Sequence, residues 1–128
     1  MARDIKSGRF HIVKEFGFEA AHSFGHKPEG HANTRVHGHS FKAEVALTGE
    51  PDATSGCVVD FEILTQAVDK VRAKLDHHFL NDIQGLGTPS LENLARWIAG
   101  ELRPQFPELA SVTVRRPSLG ESCRFDVI

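Results

Sequence analysis

The stretch Val36-His37-Gly38-His39-Ser40-Phe41-Lys42-Ala43-Glu44-Val45-Ala46-Leu47-Thr48 alternates in polarity along most of its length. Phe41, Ala43, Val45 and Leu47 fall on one side, and Ser40, Lys42, Glu44 and Thr48 on the other. That is the period of a half-buried strand. Residues two apart on a strand share a face, so His37 and His39 continue the apolar row. Two imidazoles at the end of a row that ought to be apolar call for a partner.

Working outward, Arg9 to Ala21 alternates in the same way. Phe10, Ile12, Phe16, Phe18 and Ala20 share one face, and His22 closes the stretch in register with Ala20. Between the two strands, Ser23 to Arg35 carries Gly25, Pro28, Gly30 and Asn33 and reads as a long loop, a kind of segment often tied to function. Gly49 to Gly56 is turn material, and Cys57-Val58-Val59 reads as a short extended piece. Asp60 is suited to cap a helix. Ile63, Leu64, Ala67, Val68, Val71 and Leu75 recur at helical spacing, which predicts a helix over Phe61 to Leu75. Thr88 or Ser90 starts a second helix, with Leu91, Leu94, Ala95, Ile98 and Leu102 as its buried stripe and Pro104 and Pro107 beyond its end. Val112-Thr113-Val114 and Arg124-Phe125-Asp126-Val127 read as two short strands joined near Gly120. Strand-strand-helix-helix-strand-strand predicts an α+β fold, a four-stranded antiparallel sheet with both helices on one face.

The chain of 128 residues is expected to form a single domain, 1–128, with 1–8 flexible. A net charge of −2 with both signs interspersed points away from non-specific nucleic-acid or membrane binding. The polar run Met1 to Gly8 lacks the apolar core of a secretory signal. Two cysteines, Cys57 and Cys123, make no metal-type pair, and a reducing, cytoplasmic setting is expected. Histidine is the unusual component: eight in all, six of them from His11 to His39.

Neighbouring strands usually pair antiparallel. The end of the first strand then lies beside the start of the second, and His22, His37 and His39 converge. Three imidazoles with room for a fourth ligand form a His₃ zinc arrangement; copper, nickel and iron accept the same donors. Alone, an H-x-H is as consistent with hydrogen-bonded histidines at a strand end; His22 in phase on the adjacent strand tips the reading to metal. Asp76-His77 is a second constellation, in which a carboxylate can orient an imidazole for proton transfer. A histidine at a helix C-terminus is also favoured by the helix dipole alone.

Several of these segments together resemble the 6-pyruvoyltetrahydropterin synthase and 6-carboxytetrahydropterin synthase family. They are Phe18-Glu19-Ala20-Ala21-His22, Pro28-Glu29-Gly30-His31, Val36-His37-Gly38-His39-Ser40-Phe41, Val59-Asp60-Phe61, Leu75-Asp76-His77-His78-Phe79-Leu80-Asn81-Asp82 and Pro89-Ser90-Leu91-Glu92-Asn93-Leu94-Ala95. The match runs nearly the whole chain in order, and the bacterial 6-carboxytetrahydropterin synthase branch is the most similar. The resemblance implies the tunnelling (T) fold and a homo-oligomer, commonly a hexamer, with sites between subunits. It implies Zn²⁺ on His22, His37 and His39, and His77 with Asp76 as the proton-transfer pair. It also implies a lyase acting on 7,8-dihydroneopterin triphosphate or a related pterin in queuosine and 7-deazapurine biosynthesis.

Two positions depart from that pattern. The family's catalytic cysteine lies four residues before the first histidine of H-G-H, where this chain has Asn33, which cannot act as a thiolate. The family's pterin-anchoring glutamate follows the Val-x-Val of the third strand, where this chain has Arg116. Arginine offers only donors. Glu121 is a candidate replacement, and Arg116 and Lys27 are candidate substrate contacts. The alternatives are a diverged T-fold paralogue with a non-pterin substrate, or a non-catalytic zinc- or ligand-binding protein.

Overall fold

Phe10–His22 (β1) and His37–Gly49 (β2) pair antiparallel along their full length, with His22 opposite His37 and Ala20 opposite His39. This is the pairing expected from the two alternating stretches. The computed structural model describes Ile5 and residues 8–128. The expected flexibility of 1–8 falls mostly on residues outside that set.

Leu109–Arg116 (β3) joins the other side of β2, and Glu121–Asp126 (β4) joins β3. The result is a four-stranded antiparallel sheet in the order β1-β2-β3-β4. The helices Phe61–Leu75 (α1) and Leu91–Leu102 (α2) lie between β2 and β3 in sequence. Leu64, Ala67, Val68, Val71 and Leu75 of α1, and Leu91, Leu94, Ala95, Ile98 and Leu102 of α2, form the core with Phe16, Phe18, Phe41, Val45, Leu47, Val112 and Val114 of the sheet. Each large apolar side chain buried this way contributes about 1.5–3 kcal/mol. Asp60 caps α1 by accepting from the Glu62 N–H. Ser90, rather than Thr88, caps α2 by accepting from Asn93. Neither helix is long and apolar enough to cross a membrane.

The element order agrees with the expectation; several boundaries and faces differ. Strands β3 and β4 are longer than Val112–Val114 and begin earlier than Arg124. Arg115, Arg116 and Glu121 lie outside the two stretches read as strands but are paired in the ladder. A 3₁₀ turn over Pro117–Leu119 joins the two strands, with Gly120 in the left-handed region at φ 66°. Cys57-Val58-Val59 joins no strand ladder and lies in a bend. Phe10 at the open end of β1, Phe61 in the first turn of α1 and Ile63 beside the α1 stripe are exposed. Phe10 is the first residue of β1, at the far end of the core-facing row, and Phe61 and Ile63 lie in the first turn of α1.

Candidate metal centre

The core face of the sheet changes character at one end. Along β1 the row Phe16, Phe18, Ala20 ends in His22, and along β2 the row Val45, Ala43, Phe41 ends in His39 and His37. Strand parity alone delivers the three imidazoles to one place. A ligating atom from each lies within 4.8 Å of the others. The rings are edge-on to one another, with centroids 4.6 Å apart for His22 and His37 and 4.9 Å for His22 and His39. Phe41 lies beneath both His22 and His39, and Phe24 of the following loop covers His22 from the side.

His22 is fully buried. Its Nδ1 lies 3.1 Å from the Pro89 carbonyl at the start of α2. A carbonyl only accepts, so Nδ1 carries the proton and Nε2 presents its lone pair. That Nε2 is buried and has no hydrogen-bond partner among the described residues. Burial pushes the His22 imidazole down to about 4, with the charges of His37, His39 and Arg116 adding to the effect and the Pro89 contact opposing it. His39 is lowered too, by burial first and then by His37 and Arg116, with Glu121 opposing. The His37 Nδ1 donates to the Arg35 carbonyl at 2.8 Å, which likewise leaves Nε2 free. Three convergent imidazoles, two with the tautomer fixed by a backbone carbonyl and one of these holding an orphaned buried nitrogen, are the donor set a divalent metal takes. The three histidines fit a metal ion.

Asp76 and His77 follow α1 and line the outer edge of β1. The Asp76 carboxylate accepts from the Glu19 N–H at 2.8 Å and from His77 Nδ1 at 2.8 Å. Those two bonds, the Glu19 one foremost, hold the carboxyl below the usual aspartate range. The His77 N–H in turn donates to the Glu19 carbonyl at 2.6 Å. His77 is left-handed at φ 59°, a conformation costly for a residue with a Cβ. With Nδ1–H committed to Asp76, Nε2 is the free base position. A cleft of about 520 Å³, lined in part by Glu19, Gly38, Ser40 and His77, opens here. His39 borders this cleft, but His77 is not a member of the three-histidine group.

The remaining candidates distribute unevenly. Asn33 sits half-buried in a 3₁₀ turn, its carbonyl accepting from the Phe24 N–H at 2.7 Å. It is thus tied to the ring that covers His22. Arg116 and Glu121 face each other across the β3–β4 pair on the core face, with Nε and Oε1 3.0 Å apart. Lys27 lies in the loop after β1, and its backbone N–H reaches the Phe24 carbonyl at 3.5 Å. Three features gave no sequence signal. The Pro89 carbonyl and the Glu19 backbone are main-chain groups brought in from far away, and Phe24 covers the site from within an irregular loop.

A family profile described as 6-pyruvoyl tetrahydropterin synthase matches residues 11–126. A 6-carboxy-5,6,7,8-tetrahydropterin synthase of Synechocystis sp. is 42% identical over 109 residues, covering 80% of this chain and 83% of that one. A dihydroneopterin monophosphate aldolase of Pyrococcus furiosus is 38% identical over 116 residues, covering 91% and 93%. The structure of Caenorhabditis elegans 6-pyruvoyl tetrahydropterin synthase superposes with a TM-score of 0.83 at 24% identity, covering 98% of this chain and all of that one.

Proposed function

The chain belongs to the 6-pyruvoyl tetrahydropterin synthase family, and from that premise we propose that it is a zinc-dependent carbon–oxygen lyase resembling 6-carboxytetrahydropterin synthase. Its substrate is 7,8-dihydroneopterin triphosphate or a related pterin, its setting the cytoplasm, and its pathway queuosine and 7-deazapurine synthesis. The observation that carries the reading is the buried, unpartnered Nε2 of His22 turned toward His37 and His39.

In this reading His22, His37 and His39 hold Zn²⁺, which supplies Lewis acidity toward oxygen atoms of the bound side chain. His77 takes and returns a proton at Nε2. Asp76 fixes its tautomer through Nδ1–H and stabilises the imidazolium that forms. Glu19 positions both through its backbone. Asn33 stands where the family has its cysteine and contributes hydrogen bonds but no thiolate. Glu121 accepts from the ligand's ring N–H or amino group, Arg116 adds donors beside it, and Lys27 contacts a charged substituent. His77 borders the cleft that His39 also lines, but it is not one of the three grouped histidines. The assembly in this proposal is the homo-oligomer that membership of the family suggests, a hexamer, with sites completed between subunits.

The test is to load the protein with zinc, incubate it with 7,8-dihydroneopterin triphosphate and follow the products by mass spectrometry. Release of triphosphate and a carboxytetrahydropterin product is expected. No conversion at high enzyme concentration would overturn the reading. A second reading, a diverged paralogue acting on a non-pterin substrate, is favoured by Asn33 and Arg116 at the two positions where the chain departs from the family. Recovery of pterin turnover in an N33C/R116E double variant would support it.

A further inference from the structure

The rows that bring the histidines together also bring a charged pair. On β3 the core-facing row is Val112, Val114, Arg116, and on β4 it is Phe125, Cys123, Glu121. Val114 is paired with Ala43 of β2, and the β2 row continues from Ala43 through Phe41 to His39. The same end of the same face therefore carries His22, His37, His39, Arg116 and Glu121. The apolar row gives way to polar groups on every strand at this level, and this end of the core face carries one polar cluster.

Within that cluster Arg116 is under-satisfied. Only about a fifth of its side chain is exposed, and Nε is buried without a hydrogen-bond partner among the described residues. Glu121 lies 3.0 Å from Nε but is not aligned with it as an acceptor, and half of its side chain is exposed. Adjacent Arg115 shows the contrast, since its guanidinium donates to Glu15 and Glu44 at 2.8 Å each. A buried guanidinium N–H without an acceptor is costly. The guanidinium brings a fixed positive field to this end of the face. One half-exposed carboxylate is a poor match for that field, whereas an oxyanion on a ligand matches it in charge and in the planar, two-pronged geometry of arginine.

We propose that Arg116 is a specificity-determining residue that binds a ligand oxyanion, a carboxylate or a phosphate, held next to the three-histidine centre, with Glu121 displaced from the guanidinium or bridging to the same ligand. The proposal rests on the reading of this end of the core face as the ligand site, and it gives that ligand an anionic oxygen close to the metal-binding end. It also assigns a role to the substitution of arginine at the family's glutamate position, because the side chain now selects an acceptor where a carboxylate selects a donor.

The experiment is isothermal titration of glycolate and of inorganic phosphate, as separate arms, into zinc-loaded and metal-free protein. Wild type is compared with Arg116→Met, Arg116→Lys and Arg124→Met, the last removing an arginine paired to Asp126 away from the cluster. Circular dichroism and zinc stoichiometry are recorded for each variant. In at least one arm, Arg116→Met is expected to weaken binding tenfold or more, Arg116→Lys about threefold because charge survives without the planar fork, and Arg124→Met not at all. Equal affinity in wild type and Arg116→Met, or no binding of either anion to wild type, overturns the proposal. If no variant and no wild type takes up zinc, the metal reading fails separately, and the metal-free titrations still decide the role of Arg116. If Arg116→Met does not fold, the Arg116→Lys comparison decides it.

Discussion

His22 and Pro89, 67 residues apart in the chain, are joined by a hydrogen bond of 3.1 Å from Nδ1–H to the carbonyl oxygen. The bond ties the end of β1 to the turn that opens α2. It sets the tautomer of the one fully buried histidine and so aims its Nε2 at His37 and His39. Without it, a buried neutral imidazole could present either nitrogen to the centre.

A metal that binds only the folded protein stabilises it by mass action, by about 4 kcal/mol when free metal is a thousandfold above the dissociation constant. For a chain of this size that is a rise in Tm on the order of 10 °C. Zinc is therefore expected to raise the melting temperature of wild type, and His39→Ala is expected to lose most of the rise. His39 is the better variant than His22 because it is only half-buried, so the fold survives its removal. Scanning calorimetry with and without zinc checks this, and a wild type unmoved by zinc would sink the metal assignment.

Ser90 follows Pro89 and caps α2 through its side chain, accepting from the Asn93 N–H at 3.1 Å. Loss of such a cap costs about 1 kcal/mol. Ser90→Ala should lower stability by that amount and should also weaken zinc binding severalfold, because the Pro89 carbonyl that orients His22 belongs to the loosened turn. Ser90→Asp keeps a capping acceptor and should keep both properties. Urea denaturation with a zinc competition assay separates a cap that affects only the helix from one that also reaches the metal centre.

The three-histidine centre was legible because it depends on strand parity and antiparallel pairing alone. His37 and His39 share phase with Phe41, and His22 shares phase with Ala20. Both facts survive folding unchanged. The charged hairpin was not legible in the same way. Arg115, Arg116 and Glu121 lie outside the two short stretches that read as strands, yet β3 and β4 extend through them, with Glu15, Glu44 and the facing pair supplying counter-charges across the sheet. Those partners lie as far as 100 residues away, and no local pattern encodes them. The Pro89 carbonyl was hidden for a simpler reason: a main-chain acceptor has no residue identity to read.

Acid sensitivity should trace in part to Asp76. Its folded-state pKa lies below the ordinary aspartate value, through the Glu19 N–H first and the His77 ring second. A depressed carboxyl contributes stability that is present above the unfolded-state pKa, about 3.9, and is lost as pH falls through the lower folded value. Asp76→Asn should therefore be less stable than wild type at neutral pH, and the gap should close as the solution is acidified below about pH 4. Denaturant midpoints taken from pH 7 down to pH 3 give the comparison. A gap independent of pH would mean that the carboxylate charge plays no part.

His77 combines a strained backbone with the free nitrogen assigned to proton transfer. A residue with a Cβ in the left-handed region costs about 1–2 kcal/mol relative to glycine, and the φ of 59° at His77 is held by its N–H bond to the Glu19 carbonyl and its ring bond to Asp76. His77→Gly removes the strain together with the imidazole. Asp76 loses its ring partner but keeps the Glu19 N–H and the Arg72 guanidinium at 3.4 Å, so the carboxylate is not stranded. Relief of strain then competes with one lost, largely exposed hydrogen bond worth about 1 kcal/mol and with the extra chain entropy of glycine. The expected result is stability within about 1 kcal/mol of wild type and unchanged zinc uptake, while any proton-transfer activity falls by two to four orders of magnitude, roughly the contribution of a positioned acid–base group. His77→Asn, which tolerates the left-handed region but cannot carry the proton, should behave alike. Unfolding midpoints, zinc stoichiometry and turnover measured on the same preparations make the test. A His77→Gly protein that lost its zinc or unfolded would instead place His77 among the residues that build the fold.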